Sequence, residues 1–253
     1  MATGIFVFHK VCSHKNKDIW IITLDELIQI IRILEKYGTI IEPFCSKNLG
    51  NDSMSFMLHF DDGTRDHYEI VAPLLNRLGY KGIFFICTSK LDKQGYLTTV
   101  QLKELITQGH EIGSHAHTHV NLTSLSINEI QKQVITSISI LESIIERDVK
   151  WFAPPGGIYD NRVIKVARDH GIKYFRTTKF GWSSFSSNTR SMQILKTFNV
   201  SRFFRADQIE HCLSKNTIYV KYFAIFRLKE AIKKLSPRIY HVLSSIADKR
   251  ICT

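Results

Sequence analysis

Short apolar runs alternate along the first 200 positions with longer stretches in which hydrophobic residues recur every three or four places. The runs predict strands near residues 5–8, 55–60, 83–87, 111–113, 150–153, 172–176 and 194–200. Between them, Leu24, Leu27, Ile28, Ile31 and Leu34 share one helical face that Gly38 stops. Val71, Leu74, Leu75 and Leu78 mark a second helix ended by Gly79, and a third runs from Thr98 to Gly109. Ile127, Ile130, Val134, Ile138, Leu141 and Ile145 make the longest, and a helix near 161–170 ends at Gly171. Three starts carry a capping box, with Thr23, Thr98 and Ser126 followed three positions later by Glu26, Gln101 and Glu129. Residues 44–53 read as loop. Strand and helix alternating in this way predict an α/β fold, a parallel sheet with crossover helices.

Length and composition add bounds. A chain of 253 residues with 44% hydrophobic content can bury a full core, and no apolar run reaches the roughly 18 residues that a membrane span requires. The N-terminus lacks the basic and hydrophobic regions of a signal peptide. Cys12, Cys45, Cys87, Cys212 and Cys252 are odd in number and scattered, which favours reduced thiols and a cytoplasmic location. The net charge of +11 suits an anionic partner, but no nucleic-acid-binding module is recognisable, so nucleic acid is not expected. The charge concentrates at the end of the chain. Within 217–253, Lys221, Arg227, Lys229, Lys233, Lys234, Arg238, Lys249 and Arg250 face only Glu230 and Asp248. Tyr222, Phe223, Ile225, Phe226, Leu228 and Ile232 supply an apolar face beside them. That segment reads either as helices packing on the main domain or as a basic amphipathic extension on the anionic inner face of a membrane.

Candidate chemistry gathers at strand ends. The strand at 55–60 stops in Asp61-Asp62-Gly63, and the strand at 111–113 runs into Ser114-His115-Ala116-His117-Thr118-His119. A carboxylate with two imidazoles is a facial ligand set that leaves positions on a divalent metal open. Adjacent carboxylates at a strand end point in different directions, so one can hold the metal while its neighbour acts as a base. Each motif alone has an ordinary reading, a turn for Asp-Asp-Gly and chance for spaced histidines. A third strand end, Ala153-Pro154-Pro155-Gly156-Gly157, makes the joint pattern harder to dismiss.

Phe60-Asp61-Asp62-Gly63, Ile112 to His119 and Phe152-Ala153-Pro154-Pro155-Gly156 resemble the first three motifs of the polysaccharide deacetylases, the NodB-homology family or carbohydrate esterase family 4. The resemblance covers roughly residues 5–205. It implies a single distorted (β/α)7-type barrel, here over residues 1–216 with 217–253 as a helical extension, and hydrolysis of an N-acetyl group on a glycan or lipid-linked sugar. It implies a divalent metal on Asp62, His115 and His119, with zinc the first choice and cobalt or nickel as alternatives. Asp61 is then the base, and a backbone N–H near Gly156 serves the oxyanion. His117, between the ligands, reads as a further site residue or an exposed loop histidine. Two departures stand out. The arginine that normally opens the third motif is replaced by Ala153, and Arg176 is the nearest cation that could take over. No histidine ends the last barrel strand, as the family's proton donor does. Val7-Phe8-His9 fits that pattern from the other terminus, as in branches that resemble a circular permutation, so His9 is the expected acid. Trp182 is a candidate for lining the sugar site. An amidase acting on a non-sugar substrate and a degenerate carbohydrate-binding protein are the competing readings.

Overall fold

The structure is a computed structural model that describes residues 2–14, 18–43, 54–186, 191–201 and 204–214. The chain divides into two compact units, Met1–Asp207 and Gln208–Thr253. The expected loop at 44–53 and the basic extension at 217–253 lie outside the described residues.

The first unit is a closed seven-stranded parallel barrel. Its strands are β1 (Ala2–Phe8), β2 (Met54–Phe60), β3 (Gly82–Ile86), β4 (Glu111–Ser114), β5 (Trp151–Phe152), β6 (Tyr174–Phe180) and β7 (Gln193–Asn199). Each pairs in parallel with the next in sequence order, and β7 returns to β1 through Phe6↔Phe198 and Val7↔Asn199. The N-terminal strand therefore sits between β2 and β7 and closes the ring. Among the described residues the α-helices are, in chain order, α1 (Leu24–Tyr37), α2 (Ala72–Leu78), α3 (Thr99–Thr107), α4 (Ile127–Ile145), α5 (Asn161–Asp169) and α6 (Ala206–Ser214), the last of which runs across the boundary into the second unit. All three expected capping boxes form, each hydroxyl accepting from the N3 amide while the N3 side chain accepts from the cap's own N–H.

Register sorts the side chains. Val7 lies beside His59, and His59 beside Ile83, so residues of one parity share a face. Ile5, Val7, Met57, Ile83, Phe85, Trp151, Ala153 and Leu195 form the buried interior cluster. The opposite parity carries Phe6, Phe8, Phe60 and Phe84, which stack across neighbouring strands: Phe6 on Phe198 at 5.1 Å, Phe8 on Phe60 at 5.3 Å and Phe60 on Phe84 at 5.1 Å. The interior is tight at one place in particular. A Cβ on Gly113 would lie 2.6 Å from the Phe85 ring, so only glycine fits there.

Element bounds depart from the sequence pattern in instructive ways. β6 begins at Tyr174 because Ile172 N–H is used to close the end of α5 on Ala167 O. It continues to Phe180 because hydroxyls hold its end to β7: Thr177 Oγ1 donates to Leu195 O, and Thr197 Oγ1 to Thr177 O. A π-helical turn, His67–Val71, precedes α2. Short strands not visible in the pattern pair Lys10–Cys12 with Ile21–Thr23, Gly38–Ile40 with β2, and Ser183–Ser184 with β1. Among the described residues no helix is long and apolar enough to cross a membrane.

Candidate active site

Interior parity carries the chemistry to one end of the barrel. His9 follows Val7, Asp61 follows His59, His115 follows Gly113, Ala153 follows Trp151 and Arg176 follows Tyr174, each two positions on and on the same face. All but Arg176 lie at or just beyond the C-terminal ends of their strands, where α/β barrels assemble sites; Arg176 is the third residue of β6, one step past the Phe152↔Phe175 pair that joins β5 to β6.

Asp62, His115 and His119 come together, with one donor atom of each within 4.8 Å of the others. Asp62 Oδ1 lies 3.0 Å from His119 Nε2 and 3.6 Å from His115 Nε2. It is shielded from water and makes no hydrogen bond among the described residues. His115 Nδ1 donates to Ala153 O at 2.7 Å, so its Nε2 carries a lone pair toward a carboxylate oxygen that is also only an acceptor. Two acceptors 3.6 Å apart with no proton to share between them fit a cation placed there. Burial brings the His115 imidazole down to about 4, against the pull of Asp61 and Asp62, which keeps it unprotonated as a ligand must be. Burial pushes the Asp62 carboxyl up, but His119, His115 and His9 together hold it well below the usual carboxylate range.

The backbone here is bent to suit. Among the described residues, three of the five non-glycine positions with positive φ are Asp62 (78°), Ala116 (60°) and His119 (52°). Such positions cost about 1–3 kcal/mol each and persist where surrounding structure enforces them. The enforcement is visible: Thr88 N–H donates to Ala116 O, Ser89 N–H to His117 O, and His115 N–H to Ile86 O.

Asp61 does not join the cluster. It is buried, and Arg176 Nη2 donates to both of its oxygens. The guanidinium rests over the Phe85 ring at 4.9 Å. Burial pushes the Asp61 carboxyl up, while Arg176, ahead of His115 and His9, holds it below its ordinary value. His9 Nε2 is 3.9 Å from Asp61 Oδ2. Burial pushes His9 down, opposed by Asp61 and Asp62. Beneath them His59 is fully buried between Phe85 and Trp151, and burial, with Arg176, keeps it well below its usual value and neutral.

The remaining expected residues fall as follows. Gly156 (φ 61°) is in the third-motif loop, three residues past the carbonyl that receives His115. His117 is half-buried, its Nδ1 2.9 Å from Thr88 Oγ1, and serves the loop rather than the donor set. Trp182 is placed elsewhere: its ring packs on Phe198 at 5.3 Å and Phe56 at 6.1 Å, against Gly4, on the outward-facing parity. The aromatic beside the site is instead Trp20, 40% exposed, with its ring 4.8 Å from His9. No hydrophobic period marked Trp20. The signal was a tryptophan within the short run Ile19-Trp20-Ile21-Ile22, soon after His9.

A barrel with an Asp-His-His cluster, a buried aspartate beside it and a strand-end histidine defines a class, and the comparisons agree with it. The family model described as polysaccharide deacetylase matches residues 49–175, and the chain belongs to that family. Relatives include a peptidoglycan-N-acetylglucosamine deacetylase of Bacillus cereus, 26% identical over 133 residues, 52% of this chain and 59% of the relative. Chitin deacetylase 2 of Saccharomyces cerevisiae is 32% identical over 126 residues, 49% of this chain and 38% of the relative. The chain spans about half the length of the curated relatives it matches. Among solved structures, a Streptococcus pyogenes deacetylase in complex with acetate superposes with TM-score 0.72 at 19% identity, covering 83% of this chain and 96% of that one. A polysaccharide deacetylase from Bacillus cereus gives TM-score 0.71 at 17% identity, covering 84% and 69%. The family match stops just short of Arg176 and excludes His9, so the placement of these two beside Asp61 rests on the barrel itself.

Proposed function

We propose that the chain is a metal-dependent hydrolase that removes N-acetyl groups from an N-acetylated glycan or glycolipid. The observation that carries the reading is the meeting of three parts at one barrel end: the Asp62, His115, His119 donor set, the Arg176-bound Asp61, and His9. Asp62, His115 and His119 would hold the ion, with zinc favoured by the nitrogen-rich set and cobalt or nickel also compatible. A metal bound there polarises the acetyl carbonyl and lowers the pKa of a bound water.

The chain's own residues supply the rest. Asp61 takes the proton from the attacking water, and Arg176 both orients it and keeps it ionised for that task. Arg176 thereby replaces the arginine missing at Ala153, reaching the same carboxylate from the neighbouring strand. The leaving nitrogen needs a proton, since an amine anion is too basic to depart. His9, close to Asp61, delivers it, so the proton removed from water balances the one given to the amine. The products are acetate and a free amino sugar. The third-motif loop at Gly156 offers a backbone N–H to the developing oxyanion. Trp20 presents an apolar ring for a sugar face next to the proton donor. The basic segment 217–253 is proposed to hold the enzyme at an anionic membrane face inside the cell, where a lipid-linked sugar is within reach.

Acetate release tests the reading. The zinc-loaded protein is incubated with chitooligosaccharides, peptidoglycan fragments and small N-alkyl acetamides, beside Asp61→Asn. Release from glycans alone, lost in Asp61→Asn, is the expected result. Release from small amides only moves the protein to the amidase reading. Stoichiometric metal with no hydrolysis of any of them makes it a binding protein.

A further inference from the structure

We infer that His67, which belongs to none of the motifs, is a positioning residue that acts through His9. The inference rests on the reading of His9 as proton donor. His67 is fully buried in the π-helical turn that follows the Asp61-Asp62-Gly63 segment, and such turns recur at functional sites. Its ring meets Phe60 at 5.7 Å and Phe84 at 5.5 Å, an environment that a phenylalanine would fill without a polar cost. One ring nitrogen is engaged: Nε2–H donates to the His9 carbonyl at 2.7 Å, with Thr64 Oγ1 at 3.3 Å from the same nitrogen. The other, Nδ1, makes no hydrogen bond among the described residues.

The accepting carbonyl is where the barrel ladder runs out. Phe8 O is still bound by Asp61 N–H, and His9 comes next. Two residues further on, Val11 N–H donates to Asp66 Oδ2 at 2.7 Å. Asp66 and His67 thus grip the chain on either side of Lys10. The segment that grips it also carries Asp61 and Asp62. One short stretch therefore sets how far the proton donor lies from the base and the donor set. A displacement of about 1 Å in such a constellation can cost about 10²-fold in rate.

A leaving-group comparison separates positioning from general support of the fold. N-acetyl hydrolysis needs a proton on the departing nitrogen, whereas 4-nitrophenyl acetate releases a stabilised phenolate without one. Zinc-loaded full chain is compared with His67→Phe, His67→Gln, His9→Ala and the His9→Ala/His67→Phe double variant, using chitopentaose and 4-nitrophenyl acetate. His67→Met, which is smaller and has no donor, replaces the phenylalanine variant if that fails to fold. The expected result for His67→Phe is kcat on chitopentaose lowered about 10-fold or more. KM, metal content and ester hydrolysis should stay within about twofold, with most activity recovered in His67→Gln and no further loss in the double variant. Equal losses on both substrates, a multiplicative loss in the double variant, or normal chitopentaose turnover in His67→Phe would each overturn the inference. Failure of the underlying reading shows separately, as a His9→Ala enzyme that keeps its chitopentaose turnover, and that result removes the inference with it.

Discussion

Replacing Arg176 by methionine tests how the base is held. Both partners are buried, with side chains 1% and 4% exposed, so solvent screens the pair little. Two charges about 4 Å apart attract by about 4 kcal/mol at an effective dielectric constant of about 20. Removing one partner of a buried pair costs about 3–5 kcal/mol, because the other charge is left without compensation. At about 2–4 °C per kcal/mol for a domain of this size, Arg176→Met should lower Tm by about 6–20 °C at neutral pH. The pH dependence has a definite sign. The folded-state pKa of Asp61 is depressed, chiefly by Arg176 acting against burial, so the pair's contribution is present above the ordinary aspartate pKa. It is lost as pH falls through the depressed folded value, and the gap between wild type and Arg176→Met should close in acid. Without the guanidinium Asp61 also protonates more readily, so the acid limb of the rate profile should move to higher pH. Thermal unfolding of Arg176→Met, Asp61→Asn and the double variant, scanned over pH, reads the coupling directly. The double variant should be more stable than the two single losses add up to. Strict additivity, or an Arg176→Met protein as stable as wild type at neutral pH, would refute the reasoning.

Further outcomes follow from the same geometry. Asp61→Asn should keep its metal and lose about 10²–10⁴-fold in turnover, measured as acetate release beside metal content; loss of the metal would exchange the roles of the two aspartates. Trp182→Ala should lower stability by about 2 kcal/mol through its contacts with Phe56 and Phe198 while kcat stays unchanged, read by urea unfolding and kinetics. Truncation after Asn216 should abolish co-sedimentation with anionic liposomes; equal partitioning of both forms would remove the membrane proposal.

Much of this was legible in the sequence because local rules and the tertiary fold agree. The three capping boxes and the apolar periods of α1 and α4 mark their helices, and seven apolar runs mark seven strands. The Asp62, His115, His119 set could be anticipated because all three follow strand ends in a parallel array. His9 needed one more step, that a ring closes whichever strand comes first, and β1 does lie between β2 and β7. Arg176, expected as the stand-in for the missing arginine, reaches Asp61 across 115 positions because β2 and β6 share interior parity. The features that escaped depend on contacts distant in sequence. Trp20 sits in the short apolar run Ile19–Ile22, and Trp182 lies between Phe180 and Phe185. Which of them borders the site is decided by the return of the chain through Ser183–Ser184 along β1, which carries Trp182 to the outer wall. His67 gave no signal at all, since a histidine in the polar stretch Thr64–Glu69 looks like any other.

The central claim is that one ion on Asp62, His115 and His119 enables Asp61 and His9 to hydrolyse an N-acetyl group. The most direct measurement is a titration of chelator-stripped protein with zinc, following bound metal and acetate release from an N-acetylated glycan in the same samples, with His115→Ala alongside. Activity should rise in step with occupancy and level off at one zinc per chain, and His115→Ala should neither bind tightly nor turn over. Acetate release that is undiminished in stripped protein, or stoichiometric zinc retained by His115→Ala, would contradict the account.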